Sequence, residues 1–441
     1  MTFASLGLHP SLVRAIDTLG FSSPTPIQSE AIPAALGGRD LLACAATGSG
    51  KTAAFLLPIL HRLIDAPRGT TRALVLAPTR ELALQIQEDL NELAKFTRIT
   101  SAAIYGGVGM VPQEKAIRRG VDVLIATPGR LLDHFKQGYA PLAGLKYLVF
   151  DEADRMLDMG FLPDIRRILQ HIPRPEQTLF FSATMPAPIE SLTRQMLRDP
   201  VRIALQRKAA PAKGITQALY PVPTGLKSAL LLELLKGGAM NEALVFTRTK
   251  HRADRLAKLL NKSGISAERI HGNRSQPQRT KALAGFKSGE YRVLVATDIA
   301  ARGIDVEALG HVVNFDVPPV PEDYIHRVGR TARAAMTGEA FTLVAPEEES
   351  DVARIERAVG RKLPRVKLEG FSYDAPSEAP LEIPLADRIA AIRATRRDQR
   401  ERAAAKQARH GQQGATAVAT APASRKPRNR NNRNRGRGSR A

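Results

Sequence analysis

Short apolar runs recur along this chain, each separated from the next by a stretch long enough for a helix. Leu41–Cys44, Ala73–Ala77, Val121–Ala126, Tyr147–Phe150 and Thr178–Phe181 form a first series. Ala243–Phe246, Val293–Ala296 and His311–Phe315 form a second. Most are apolar at successive positions rather than at alternate ones, which predicts strands buried on both faces. Helix-length segments lie between them: one opening at Ala53–Leu57, then Glu81–Phe96, Asp164–His171, Lys250–Ser263 and Gln276–Ser288. Apolar strands alternating with helices predict an α/β protein built on parallel sheets. The pattern breaks at the Pro- and Lys-containing stretch around 205–214, so two tandem domains are expected, 1–206 and 214–370, joined by a linker at 207–213.

The polar residues that follow the strands carry the chemistry. In parallel sheets ligands gather beyond the carboxyl ends of the strands, so these segments should share an edge. After Leu41–Cys44 comes Ala45-Ala46-Thr47-Gly48-Ser49-Gly50-Lys51-Thr52 and then a helix. A strand, a glycine-rich turn and Lys-Thr at a helix start form a phosphate loop, in which backbone N–H groups and the helix dipole hold an anion. Lys51 would reach the phosphates and Thr52 a magnesium ion. Asp151-Glu152 ends another strand, placing one carboxylate for the metal and one for the attacking water. Ser182 and Thr184 end a third, where a helix cap is the simpler reading. Upstream, Phe21-Ser22-Ser23-Pro24-Thr25-Pro26-Ile27-Gln28 makes an extended loop running into a helix. The Gln28 amide matches the edge of adenine, although a solvent-exposed place at the helix start fits it as well. The second series has no Gly-Lys-Thr, which puts a single nucleotide site in the cleft between the domains. Arg330 and Arg333, three apart, would share a helical face and reach a phosphate across that cleft.

Composition narrows the partners. The net charge is +22, and from residue 385 onward there are 16 Lys+Arg against three Asp+Glu. After position 424 eight basic residues stand with no acidic one, among Asn-Arg and Arg-Gly repeats. Such a segment buries no core, so residues 371–441 are expected to be a disordered basic tail suited to a polyanion. A single cysteine, Cys44, excludes an internal disulfide and fits a reducing cytoplasm. No run reaches the roughly 18 apolar residues of a membrane span, and the first residues lack the layout of a secretory leader.

Taken together, Pro26–Gln28, Ala45–Thr52, Pro78–Leu82, Gly106-Gly107, Thr127–Arg130, Asp151–Asp154, Ser182–Thr184, Thr297–Asp305 and His326–Arg333 resemble, in order, the motifs of the DEAD-box RNA helicases. Within that family the chain is similar to the bacterial RhlE-type subgroup, through Leu244–Lys250 and Gly303–Asp305. The resemblance implies two tandem RecA-like domains and an RNA-stimulated ATPase that parts short RNA duplexes or remodels ribonucleoproteins. An ATP-gated RNA clamp with little turnover stays open beside it. ATP and Mg²⁺ are the implied cofactors. Phe3, Phe21 and Gln28 would receive adenine, Phe3 by stacking. Ala46, Thr47, Gly48, Ser49, Gly50, Lys51 and Thr52 would hold phosphates, and Asp305 the ribose. Asp151 and Thr52 would hold Mg²⁺, Glu152 the water, and Arg330 and Arg333 would act as arginine fingers. Arg80, Gly107, Thr127 and Arg130 on one domain, and Thr247, Arg248, Gln276, Arg279 and Thr297 on the other, would meet the RNA backbone. Asp154, Ser182, Thr184 and His326 would couple the two sites. The implied setting is the bacterial cytoplasm, with ribosomal precursors or RNA-decay machinery as partners and no membrane.

Overall fold

Two all-parallel sheets, both within the compact unit of residues 1–381, organise the chain. The computed structural model describes residues 2–45, 48–139, 142–204, 214–238, 240–301, 309–331 and 338–375. Ala46, Thr47, Asp305, Arg333, the linker at 207–213 and the tail from 376 onward lie outside the described residues.

The first sheet holds β1 (Leu41–Cys44), β2 (Ala73–Leu76), β3 (Ser101–Ile104), β4 (Val123–Ala126), β5 (Tyr147–Phe150), β6 (Gln177–Ser182) and β7 (Val201–Ala204). Its spatial order is β3-β4-β2-β5-β6-β1-β7. The second holds β8 (Ile215–Pro221), β9 (Ala243–Phe246), β10 (Ala267–Ile270), β11 (Val293–Ala296), β12 (His311–Asn314) and β13 (Gly338–Val344), in the order β10-β11-β9-β12-β13-β8.

Alternation along each strand divides its side chains between two cores. Leu41, Ala43, Val75, Ile125, Val149 and Phe181 pack on one face of the first sheet, and Leu42, Leu74, Leu124, Leu148 and Phe180 on the other. The second sheet is built alike, with Val245, Val295 and Val313 on one face and Leu244, Leu294 and Val312 on the other. Helices cover both faces, so an unbroken apolar run is what each central strand needs.

The strand ends also start the helices. Thr79 and Thr249 accept the N–H groups of Leu82 and Arg252, each at 3.2 Å, and Ser275 donates its own N–H to Gln278 Oε1 at 3.1 Å. The threonines satisfy N–H groups that the first helical turn leaves open, and Gln278 reaches back to do the same for Ser275.

The second lobe continues past the expected boundary at 370. Leu219 donates to Pro364 O and Val366 N–H donates back to Leu219 O, each at 2.8 Å, which closes the open edge of β8. Beyond them Phe371, Tyr373 and Ala375 pack on the second core, with Leu368 N–H donating to the Tyr373 hydroxyl at 2.8 Å. Residues 371–375 are thus part of the globular body, because two aromatic rings there find an apolar face.

Candidate functional site

Strands β5, β6 and β1 are neighbours, so their carboxyl ends bring Asp151-Glu152, Ser182–Thr184 and the phosphate loop to one edge. Gly48 and Gly50 take φ of 76° and 91°, which only glycine adopts without strain. Lys51 opens the helix Lys51–Ile64 and is 6% exposed, and Thr52 follows on its first turn. Gln28 is buried rather than exposed. Its Oε1 accepts the Thr25 N–H at 2.9 Å and its Nε2 donates to Gly50 O at 3.1 Å. The amide therefore staples the Pro-rich loop to the phosphate loop and keeps one further N–H and one lone pair for a ligand. A Cβ on Gly50 would stand 2.5 Å from Gln28 Nε2 and 2.9 Å from Thr25 Oγ1. Gly50→Ala combines that clash with a left-handed penalty of roughly 1–2 kcal/mol, so nucleotide affinity should fall about tenfold or more. Titration with a fluorescent nucleotide, beside a melting curve, checks this.

Phe3 does not stand at this edge as expected. It is 4% exposed and packs with Leu12, Ile16 and Ile27 in the first core, because the short helix Phe3–Leu6 turns its ring inward. Phe21, by contrast, is 46% exposed on the loop that leads to Gln28.

Asp151 and Glu152 are both buried. Burial pushes the Asp151 carboxyl up to about 6 despite the nearby Lys51, and its Oδ1 has no hydrogen-bond partner. An orphaned carboxylate oxygen with a hydroxyl at Thr52 fits a hard divalent cation, which would relieve that burial cost. Among the described residues no group of three or more His, Cys, Asp or Glu could hold a metal, so water and phosphate oxygens would complete the shell. Glu152 takes φ 51°, a left-handed backbone rare for a non-glycine residue, which turns its side chain back toward the strand ends. Burial works against its ionised form, but Arg155, Lys51 and Arg330 more than offset it and hold the carboxyl low. Glu152 Oε2 and Arg155 Nη1 are 3.1 Å apart yet out of line, and neither atom has a hydrogen bond. The base is thus held ionised while its oxygen stays available.

Asp154 joins the strand ends. Its Oδ2 accepts from Ala183 N–H (3.2 Å), Thr184 N–H (2.8 Å) and Thr184 Oγ1 (3.0 Å). Its own N–H donates to Ser182 Oγ at 3.2 Å, and that hydroxyl donates to Thr184 O at 2.7 Å. Ser182 and Thr184 form a closed lattice with Asp154 rather than a simple helix cap.

The second lobe faces this lattice. Arg155, Asp298, Asp323, His326, Arg327 and Arg330 line a cleft of about 240 Å³. Burial lowers the His326 pKa to about 4, aided by Arg155 and Arg330, so the ring is neutral. Arg330 is 5% exposed, and its charge acts on both Glu152 and His326. It is not on a helix: Pro321–Val328 ends at Gly329, and Arg330 lies in the turn beyond, its N–H donating to Arg327 O at 3.1 Å. The shared helical face expected for Arg330 and Arg333 therefore fails at Arg330. Arg327, which carried no expectation, forks onto Asp298 at 2.5 and 2.7 Å and donates to Asn314 Oδ1 and Asp316 O. It ties the ends of β11 and β12 beneath the cleft.

The residues expected to meet RNA divide into two groups. Arg80 and Arg130 are half-buried, Gly107 and Arg248 are exposed, and Thr297 is half-buried. The Arg80 fork lies so close to Gly107 (φ 84°) that a Cβ there would stand 2.1 Å from Nη1. Thr127, by contrast, is buried with its N–H donated to Ile104 O at 2.9 Å, and Thr247 is fully buried. Gln276 and Arg279 are also buried, both donating to Glu81 Oε1, at 3.1 and 2.8 Å. Glu81, on the first lobe, thus bridges to the second lobe's pair. The sequence offered no sign of this bridge, because Glu81 reads as an ordinary first-turn helix acid.

Residues 25–192 match the family described as DEAD/DEAH box helicase, and residues 226–335 the helicase conserved C-terminal domain. The DEAD-box ATP-dependent RNA helicase CshA of Geobacillus kaustophilus is 43% identical over 366 residues, 83% of this chain and 78% of that protein. The ATP-dependent rRNA helicase rrp3 of Botryotinia fuckeliana is 46% identical over 364 residues, 82% and 74% of the two chains. Among solved structures, S. cerevisiae Dbp5 bound to RNA and ADP BeF3 superposes with a TM-score of 0.76 at 31% identity, covering 83% of this chain and 95% of that one.

Proposed function

The chain belongs to the DEAD-box ATP-dependent RNA helicases, and from that premise we propose how its residues divide the work. It is an RNA-dependent ATPase that uses ATP to part short RNA duplexes. One observation carries the assignment of roles: Arg155 of the first lobe, 3.1 Å from Glu152, and Arg330 of the second line the same cleft.

Lys51 and the loop N–H groups hold the phosphates, with Ala46, Thr47, Gly48, Ser49 and Gly50 forming the cradle. Thr52 and Asp151, the latter partly through water, would hold Mg²⁺, which would supply positive charge to neutralise the phosphates. Glu152 takes the proton of the attacking water, and Arg330, with Arg333, stabilises charge on the transferring phosphoryl. Phe21, rather than the buried Phe3, stacks on adenine, Gln28 meets its edge, and Asp305 meets the ribose. His326, neutral between Arg155 and Arg330, and the Asp154–Ser182–Thr184 lattice relay closure to the base.

On the other side of the cleft, Arg80, Gly107 and Arg130 receive one stretch of RNA backbone, and Arg248 and Thr297 the next, with Thr127 and Thr247 buried at the ends of β4 and β9. Gln276 and Arg279 lie beneath that path, where Glu81 joins them to the first lobe. ATP and RNA each bind both lobes, so each favours the closed arrangement that the other needs. Contacts to backbone carry no base information, which fits broad RNA specificity. Displacement of a short labelled RNA strand tests the reading: unwinding should require ATP, and none with ATP present would overturn it.

We further place the chain in the bacterial RhlE-type branch, acting in the cytoplasm on ribosomal precursors or in RNA decay. The sequence Leu244–Lys250 supports the branch, and the rRNA-helicase relative supports the ribosomal substrate. Among the described residues no helix is long and apolar enough to cross a membrane.

The basic tail adds affinity for the phosphate backbone without entering the catalytic cycle. Cutting after Ala375, so that Phe371 and Tyr373 keep their packing, should weaken RNA binding and flatten its dependence on salt, while ATP turnover at saturating RNA stays the same. Filter binding across a salt series reads this directly.

A further inference from the structure

We propose that Gln113, locked by His134, is a positioning residue that sets Arg130 and the Tyr105–Val108 loop for RNA backbone. The proposal rests on the reading that Arg130 and Gly107 face RNA.

Gln113 lies on the helix Met110–Arg119 and is 6% exposed. Its Nε2 donates to Tyr105 O at 3.0 Å, at the near end of the glycine loop. Its Oε1 receives Arg130 Nη1 at 3.5 Å and faces His134 Nε2 at 3.1 Å. Arg130 Nη1 also donates to Val108 O at 3.1 Å, at the loop's far end. One amide therefore fixes both the start of the loop and the arginine that holds its finish.

The orientation of the amide is determined by its partners. Arg130 has only donors, so the atom beside it must be the oxygen. His134 Nε2 then donates to that oxygen, and Nδ1 accepts the Tyr139 hydroxyl at 2.6 Å. This requires a neutral ring, and burial, reinforced by Arg130, lowers the His134 pKa. His134 is completely buried, and Arg118 stacks 4.7 Å over the Tyr139 ring to close the chain. A leucine at either position would fill the same volume without a polar atom to satisfy. The polar pair instead gives direction to two groups at the surface, and such direction matters where contacts depend on fractions of an ångström.

The test uses the full chain, with single-stranded poly(U) as the RNA and ATP hydrolysis as the readout, on Gln113→Met, Gln113→Glu and Arg130→Met. Gln113→Met should raise the poly(U) concentration for half-maximal stimulation by about three- to tenfold, with the rate at saturating poly(U) and the KM for ATP unchanged. Gln113→Glu keeps the acceptor for Arg130 and His134 but loses the donor to Tyr105, and should give a smaller rise. If the Met variant does not fold, the Glu variant decides, and an unchanged half-saturation there overturns the proposal. A raised value for Arg130→Met with none for the Gln113 variants sinks the positioning role alone. No change in any of the three sinks the RNA reading of Arg130 as well. A joint loss of rate and of ATP affinity in Gln113→Met would make the residue a fold determinant and overturn the proposal.

Discussion

Replacing Glu152 by Gln should reduce RNA-stimulated hydrolysis by about 10²–10⁴-fold, the usual worth of a positioned general base, and leave ADP affinity within a few-fold. The amide keeps the length and polarity of the side chain, so the left-handed backbone at this residue survives. What disappears is the negative charge that Arg155, Lys51 and Arg330 hold in place against burial. The phosphate loop, built on Gly48, Gly50 and Lys51, is untouched. Single-turnover hydrolysis with saturating RNA, alongside an ADP titration, separates the two quantities. A loss under tenfold would mean that another group activates the water. A parallel loss of ADP binding would mean that the substitution damages the cleft.

Arg330→Ala should cost more, about 10³–10⁵ in kcat, as expected for an arginine placed on the transferring phosphoryl. Arg330 is buried at the cleft, where its charge acts on Glu152. Lysine is not a substitute, because a point charge lacks the planar fork. The KM for ATP should change far less than kcat, since the contact belongs to the transition state. An increase confined to KM, with kcat retained, would place Arg330 in ground-state binding and remove it from the chemistry.

The sequence carried the central strands and the nucleotide motifs for the same reason: both need a particular residue at every position. Strands β1, β5, β9 and β11 run within the bounds their apolar runs predict, because helices cover both their faces. The four sheet edges, β3, β7, β8 and β10, escaped. An edge strand is less enclosed, so residues such as Arg202, Thr216, Glu268 and Arg269 interrupt the apolar signal. Interior β13 was hidden by Glu339 and Thr342, which break its run.

At the site, local pattern could place Lys51, Asp151 and Glu152, since Lys51 opens a helix after a glycine loop and Asp151-Glu152 directly follow β5. It could not show that Gln28 is spent partly on Gly50, or that Phe3 turns into the core. It also could not show that Glu81 takes up Gln276 and Arg279 from the other lobe, or that Arg155 guards the base. Those facts arise from distant segments meeting, 195 residues apart in the case of Glu81 and Gln276. Spacing along the chain holds no record of such pairs.

The central claim is that hydrolysis waits for RNA to bring the two lobes together. Steady-state ATP hydrolysis by the intact chain, with no nucleic acid, with single-stranded RNA and with DNA of the same sequence, tests it most directly. The account predicts little turnover alone, strong stimulation by RNA and little by DNA. Equal hydrolysis under all three conditions would contradict it.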